Sequence, residues 1–206
     1  MNKRNYRREM EYIVEGLESV PTLLLHTCCA PCGSAVLEEL SRYFQITVFY
    51  YNPNITEEAE YRHRISEVRR LIEEIPAENP ISFLEGMYEP ERFFSESRGL
   101  EREKEGGTRC EKCFGLRLGE TAKEAAKGGF SFFTTTLTIS PLKNADVLNE
   151  IGERMGLIYG VRFLPSDFKK KDGYKRSIEL SKKYGLYRQD YCGCIYSKRE
   201  KHENEL

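Results

Sequence analysis

Seven cysteines stand in three tight groups: Cys28, Cys29 and Cys32 in HTCCAPC, Cys110 and Cys113 in RCEKC, and Cys192 and Cys194 in DYCGC. Thiolates are soft ligands, and groups far apart in sequence with ligand-type spacing imply that folding gathers them at one metal centre. Cys110 and Cys113 have the Cys-x-x-Cys spacing that offers two sulfurs to one centre, and that spacing accepts an iron-sulfur cluster or zinc alike. The first group must supply the other ligands. Its spacing favours Cys29 with Cys32, whereas the adjacent Cys28 and Cys29 reach one centre together only where the backbone turns sharply between them; spacing leaves that choice open. Cys192 and Cys194 differ in kind, with Gly193 alone between them. A bond between them closes a small, strained, readily reduced ring, which suits a dithiol that gives up two electrons. The other reading is a further pair of metal ligands.

Such side chains need elements to hold them. The apolar run 22–26 (TLLLH) predicts a buried strand, followed by the first cysteine group and a helix over about 34–43. A helix start carries partial positive charge and unpaired N–H groups, which favour a thiolate. His26 ends the strand beside the cysteines, as a participant or as a locally satisfied residue. Residues 46–51 predict a second strand that ends in the turn Asn52-Pro53-Asn54. Thr56 as cap, Glu57, Glu58 and Glu60 in the first turn, and the stripe Tyr61, Ile65, Val68, Ile72, Ile75 predict a helix that stops by Pro76.

Residues 81–85 predict a third strand, and 89–103 a weaker helix running into Gly106-Gly107, a loop expected to present Cys110. A helix is expected from Phe114 to Gly128. Residues 130–138 have the strongest β propensity and predict a central strand. Asn144 is expected to cap a helix with Val147, Leu148, Ile151 and Met155 on one face, closed by Gly156. Residues 158–164 predict a last strand and 174–184 a last helix. This alternation predicts one α/β domain over 1–206: a doubly wound, mainly parallel, Rossmann-like sheet with the cysteine motifs at the carboxyl end of the strands, where ligands bind.

Composition narrows the function classes. A formal net charge of -1 with 32% charged residues fits neither a disordered tail nor a globally basic nucleic-acid binder. Between 168 and 201, however, eleven Lys or Arg face four Asp or Glu, with Tyr174, Tyr184, Tyr187, Tyr191 and Tyr196 interleaved. Such a surface can hold phosphates and stack unpaired bases, with Lys169, Lys170, Lys171, Lys175 and Arg176 as candidate contacts; a solvated helix face is the other reading. The first twenty residues mix both charge signs without an apolar core, and no later run is long enough to span a bilayer. A cytoplasmic protein with no membrane partner is expected, and there cysteines argue for metal ligation or redox work. Neither a phosphate-binding Gly-rich loop nor Gly-x-Gly-x-x-Gly follows the first strand, and the three histidines, His26, His63 and His202, are scattered.

HTCCAPC, the YNPNI turn, RCEKCF with its following helix, TTLTISPLKN and DYCGC, in that order from about Leu25 to Ser197, resemble the cobalamin-independent epoxyqueuosine reductases of tRNA queuosine biosynthesis. The resemblance implies reduction of the epoxycyclopentane of epoxyqueuosine to the cyclopentene of queuosine, in the anticodon loop of tRNAs with a GUN anticodon, by an enzyme with a [4Fe-4S] cluster and an unidentified electron donor. It implies Cys28, Cys29, Cys110 and Cys113 as cluster ligands and Cys192 with Cys194 as a redox-active pair. It sets Cys32 beside the cluster, with Asp190 as its partner for an additional iron. Resemblance and spacing differ on Cys28 against Cys32. An adenylating, cluster-containing tRNA thiolase would need a Ser-Gly-Gly-type loop where HTCCAPC stands. A non-catalytic zinc or cluster protein that binds RNA would leave the Cys-Gly-Cys pair without a purpose.

Overall fold

The structure, a computed structural model, describes residues 4–204. Its apolar run Thr22–His26 forms β1, and the reason for a continuous rather than alternating pattern is that β1 is covered on both faces. Leu23 and Leu25 pack in one core layer, with Met10, Val14, Leu37, Tyr61 and Leu180, and Leu24 packs in the other, with Ala122, Ala125 and Phe133. The first layer is supplied by α1 (Tyr6–Glu15), α2 (Ala30–Leu40), α3 (Glu58–Glu74) and α7 (Gly173–Lys183), and the second by α5 (Thr108–Lys127). α6 (Ala145–Tyr159) packs beside α5, and α4 (Pro90–Ser97) against its other flank.

Five parallel strands stand in the order β3-β2-β1-β4-β5, with β2 at Gln45–Tyr50, β3 at Ile81–Glu85, β4 at Phe132–Thr135 and β5 at Arg162–Phe163. The strand order reverses direction at β1, so a crevice opens beyond the carboxyl ends of β1 and β4, the place where doubly wound sheets bind ligands. The first cysteine group follows β1 directly, and TTLTISPLKN follows β4. The sheet is therefore the doubly wound, parallel one that the sequence predicts.

Where boundaries differ, local chemistry explains it. α2 starts at Ala30, within the cysteine motif rather than at Ser34, because Pro31 is tolerated in a first helical turn and Cys29 takes the extended conformation of a cap (φ -168, ψ 158). α5 starts at Thr108 with Gly107 as its cap, so Cys110 and Cys113 ride the first turns of a helix instead of a loop. The β-rich run 130–138 keeps four strand residues and then tightens into a 3-10 turn, Thr136–Ile139, held by the Leu137 N–H donating to the Thr135 hydroxyl at 3.1 Å. α6 runs past Gly156 to end at Gly160 (φ 70), which leaves β5 two residues of the expected last strand. Gly156 serves close packing: a Cβ there would sit 2.7 Å from the Val161 carbonyl oxygen. Two helices, α1 and the terminal α8 (Ile195–Asn204), escape the sequence reading.

His26 ties the strand ends together. Its Nε2 lies 3.2 Å from the Tyr51 carbonyl and its Nδ1 2.9 Å from the Thr135 hydroxyl. Burial, helped by the Arg117 charge, pushes its pKa down to about 4, so the ring is neutral, with Nε2–H donating to Tyr51 and Nδ1 accepting from Thr135. It is the locally satisfied residue, joining β1, β4 and the turn after β2. His26→Leu leaves a hydroxyl and a carbonyl without partners, at a cost of about 2–4 kcal/mol. A thermal melt of the variant should fall by roughly 5–15 °C for a domain of this size. Below the ordinary histidine value of 6.5 the unfolded chain takes up a proton that folded His26 refuses, so parent stability declines as pH falls toward 4, and the variant should lose part of that dependence.

Candidate metal and redox centre

The first cysteine group is built by the β1-to-α2 turn. The Thr27 N–H donates to the Phe49 carbonyl at 3.1 Å, and the Asn52 amide donates to the Thr27 carbonyl at 2.9 Å, which pins the loop to the end of β2. The backbone turns so that the Cys28 and Cys29 sulfurs lie 3.8 Å apart, and the sulfurs of Cys28, Cys29 and Cys32 all fall within 4.8 Å of one another. Adjacent cysteines therefore do reach one point. Three thiols this close share protons: hydrogen bonds from its neighbours lower the Cys28 thiol well below the ordinary value, while Cys29 is pushed up to about 12 and Cys32 is also raised.

The second and third groups meet at a small enclosed cavity of about 70 Å³, lined by Cys110, Cys113, Cys192 and Cys194. Cys110 and Cys113 project from α5, and the Gly106 N–H donates to the Cys110 sulfur at 3.2 Å. Burial raises both thiols, Cys113 to about 11. Cys194 precedes α8, and its sulfur accepts from the Ser197 N–H at 3.3 Å; burial pushes this thiol up to about 12. The Cys192 N–H donates to the Ser197 hydroxyl at 3.1 Å, which donates in turn to Glu105 at 2.9 Å. Both thiols of the Cys-Gly-Cys pair are free.

Cys192 also lines an open cleft of about 530 Å³ that contains Cys28 and Cys32. Among the cysteines of the described residues, Cys192 alone faces both the cavity and the cleft; Glu105, Leu142, Lys143 and Ser197 also line both. Negative charge on the Cys192 sulfur, with smaller contributions from Cys28 and Cys32, favours the charged form of the Lys143 ammonium. An enclosed space walled by sulfurs suits a cofactor, and a cleft of a few hundred Å³ suits a nucleoside.

Three arginines that sequence reading missed are buried around the sulfurs: Arg64, Arg109 and Arg117. Arg64 donates to Glu60 at 2.7 Å and to the Cys192 carbonyl at 3.4 Å, fixing the Cys-Gly-Cys loop to α3. Arg109 donates to the Leu100, Glu101 and Glu103 carbonyls and pairs with Glu200 at 3.4 Å, tying the loop before α5 to α8. Arg117 lines the enclosed cavity. Burial works against its charge, but the surrounding Cys113, Cys192, Cys28 and Cys110 thiols outweigh burial and strengthen it. On α5, Cys110, Cys113 and Arg117 share one helix face at three- and four-residue spacing. Asn54, from the YNPNI turn, lines the same cavity.

The donor set fits an anionic metal-sulfur group. Both terminal nitrogens of Arg117 and both amide atoms of Asn54 are buried without a hydrogen-bond partner among the described residues. Unpaired donors this deep are destabilising unless something negative completes them. Soft thiols for ligation and bare cationic donors beside them are what an iron-sulfur cluster would engage. Among the described residues, the group of three or more ligating side chains close enough to hold a single ion is Cys28, Cys29 and Cys32; Cys110, Cys113 and Asp190 are outside it, and Cys28 and Cys29 do not line the cavity of Cys110 and Cys113. Asp190 lines the cleft, but its carboxylate is ion-paired with Lys201, which holds it below the usual carboxylate range.

The basic C-terminal region is only partly presented. Lys169 pairs with Asp167, Lys171 with Glu11, and Arg176 with Glu38 and Glu179. None of Lys169, Lys170, Lys171, Lys175 and Arg176 lines the cleft, where the cations are Lys143, Arg188 and Lys201. Lys169, Lys170 and Lys171 instead line an adjoining groove that shares Lys143 with the cleft. Tyr196 is buried and Tyr187 donates to Glu60, whereas Tyr174 faces the cleft. No helix among the described residues is long and apolar enough to cross a membrane.

Known proteins share this arrangement of sequence. The family described as "Epoxyqueuosine reductase QueH" matches residues 23–200. A protein of that description from Streptococcus pyogenes serotype M1 is 44% identical over 200 residues, covering 95% of this chain and 78% of the relative. The one from Staphylococcus epidermidis is 40% identical over 202 residues, covering 95% and 85%. The one from Thermotoga maritima is 36% identical over 187 residues, covering 88% and 94%. With a match across nearly the whole chain and through all three cysteine groups, this protein belongs to the epoxyqueuosine reductase QueH family.

Proposed function

We propose that this protein reduces epoxyqueuosine to queuosine in the anticodon loop of a GUN-anticodon tRNA, the last step of tRNA queuosine biosynthesis, as a cytoplasmic iron-sulfur enzyme. The observation that carries the reading is the double exposure of Cys192, which faces the enclosed sulfur-lined cavity on one side and the nucleoside-sized cleft on the other. In this reading Cys28, Cys29, Cys110 and Cys113 hold a [4Fe-4S] cluster. Once bound, a four-thiolate cluster would supply electron transfer, and the additional iron considered below would supply a Lewis acid for the epoxide oxygen.

The chain's own residues account for the rest. Removing an epoxide oxygen as water consumes two electrons and two protons, and oxidation of the Cys192–Cys194 dithiol to its disulfide releases the same number of each. Epoxide plus dithiol therefore gives alkene, water and disulfide, and an external reductant restores the thiols. Lys143, at the junction of cavity and cleft, keeps a positive charge facing the reacting oxygen. Cys32 and Asp190 face the same cleft as ligands for an additional iron, which requires the Asp190–Lys201 pair to open. The groove with Lys169, Lys170 and Lys171 leads away from Lys143 and suits the tRNA backbone.

Gly193 sets the geometry of the dithiol. Its φ of 114 is closed to other residues, and a Cβ there would meet Ile55 at 2.8 Å. The Thr56 N–H donates to the Gly193 carbonyl at 3.4 Å, so the pair is seated on the YNPNI segment.

Single Cys→Ala changes at positions 28, 29, 110 and 113 should each remove the cluster, read as iron and sulfide per chain; retention of full iron by Cys28→Ala with loss in Cys32→Ala would reassign the ligand set. Cys192→Ser and Cys194→Ser should keep the iron and fall below about one-hundredth of the parent turnover. Gly193→Ala, strained by about 1–3 kcal/mol, should keep iron while turnover drops. Reversing Lys169, Lys170 and Lys171 to Glu should weaken tRNA binding and reduce the slope of log K against log salt by roughly 0.7 for each single-strand phosphate no longer neutralised.

A further inference from the structure

Arg117 carries a hydrogen-bonding deficit that no group among the described residues fills. It is 1% exposed, and of its donors only Nε has a partner, the Cys113 carbonyl at 3.3 Å. Nη1 and Nη2 have none among the described residues, although sulfurs of four cysteines line the cavity they share. Two buried donor nitrogens that have lost water without gaining a partner destabilise a fold, whatever the charge gains from the sulfurs around it. The Phe114 ring 5.5 Å from its Cζ offers partial compensation only. A residue kept at such cost is explained by what completes it.

Resting on the iron-sulfur reading above, we propose that Arg117 is a positioning residue for the bound cluster: its Nη donors hydrogen-bond the sulfur core, and its charge sets the reduction potential. A cluster with four thiolate ligands is anionic and becomes more so on taking an electron. A fixed cation inside a low-dielectric wall favours the reduced form, and hydrogen bonds to cluster sulfur act in the same direction. Asn54, whose amide also lacks a partner on the same wall, adds a neutral donor. Neither residue ligates iron, so their effect falls on potential and on cluster retention before it falls on chemistry. The converse holds without the cluster, where replacing Arg117 by a neutral residue should leave the metal-free protein as stable as the parent or more so.

The test compares parent, Arg117→Gln and Arg117→Lys in two states. Metal-free proteins are melted thermally, and anaerobically reconstituted proteins are analysed for iron and sulfide and titrated redox-potentiometrically. Arg117→Gln should melt no lower than the metal-free parent, and its cluster should titrate at a lower potential by about 59 mV or more, a tenfold change for one electron. Arg117→Lys, which keeps the charge and loses the planar fork, should fall between the two. Failure of Arg117→Gln to keep iron, with an undiminished metal-free melt, supports the proposal if Arg117→Lys holds iron at a lowered potential. Two loaded variants that titrate with the parent overturn it, as does an Arg117→Lys cluster at parent potential when Arg117→Gln holds none. Collapse of both metal-free folds makes Arg117 structural and also overturns it. If the reconstituted parent itself holds no iron and sulfide, the iron-sulfur reading fails instead.

Discussion

Everything in this protein follows from the problem of holding many sulfurs in one place. Thiols within 4.8 Å of one another cannot all ionise, since like charges at that distance in a dry site exclude each other. Only a metal, or buried cations, or both can relieve the repulsion. Arg64, Arg109 and Arg117 and the half-buried Lys143 surround the sulfurs, and each is strengthened or oriented by what lies around it. The fold has placed positive charge around sulfurs that become negative when they ionise or bind a metal.

The parallel sheet makes this placement possible without loss of the core. Its switch point beyond β1 and β4 opens a crevice at the sheet edge, and His26, neutral and doubly hydrogen-bonded, seals the floor of that crevice. Above it, three chain segments remote in sequence converge: the β1-to-α2 turn, the first turns of α5, and the loop before α8. Loops at the carboxyl edge of a rigid sheet can carry chemistry because the scaffold absorbs none of the strain. The first is pinned by the Asn52 amide on the Thr27 carbonyl, and the last by Arg64 on the Cys192 carbonyl with Ile55 close against Gly193.

Much of this was legible in the sequence, for identifiable reasons. β1 and β3 match to the residue because their hydrophobic runs are bounded by turn signals. The cysteine groups were readable because thiol chemistry depends on local spacing. The start of α5 was not, because Gly106 and Gly107 mark a loop in sequence, while Gly107 in fact caps the helix that carries Cys110 and Cys113. The buried arginines were illegible as such, since an arginine on an amphipathic helix is ordinarily solvated, and only tertiary packing reveals that Arg64 and Arg117 point inward. The charge excess near the C-terminus read as a binding face, whereas Lys169, Lys171 and Arg176 are engaged in ion pairs with acidic residues distant or near in sequence. Charge counts along a chain do not contain those partners.

The most direct test of the central claim is a single-turnover reaction under anaerobic conditions, mixing pre-reduced, iron-loaded protein with epoxyqueuosine-containing tRNA in the absence of any other reductant. The proposed reaction yields about one queuosine per chain, with Cys192 and Cys194 converted from free thiols to a disulfide and the other five cysteines unchanged, read by differential thiol alkylation and mass spectrometry. Queuosine formed while both of those thiols remain free, or no queuosine from fully loaded protein, would contradict it.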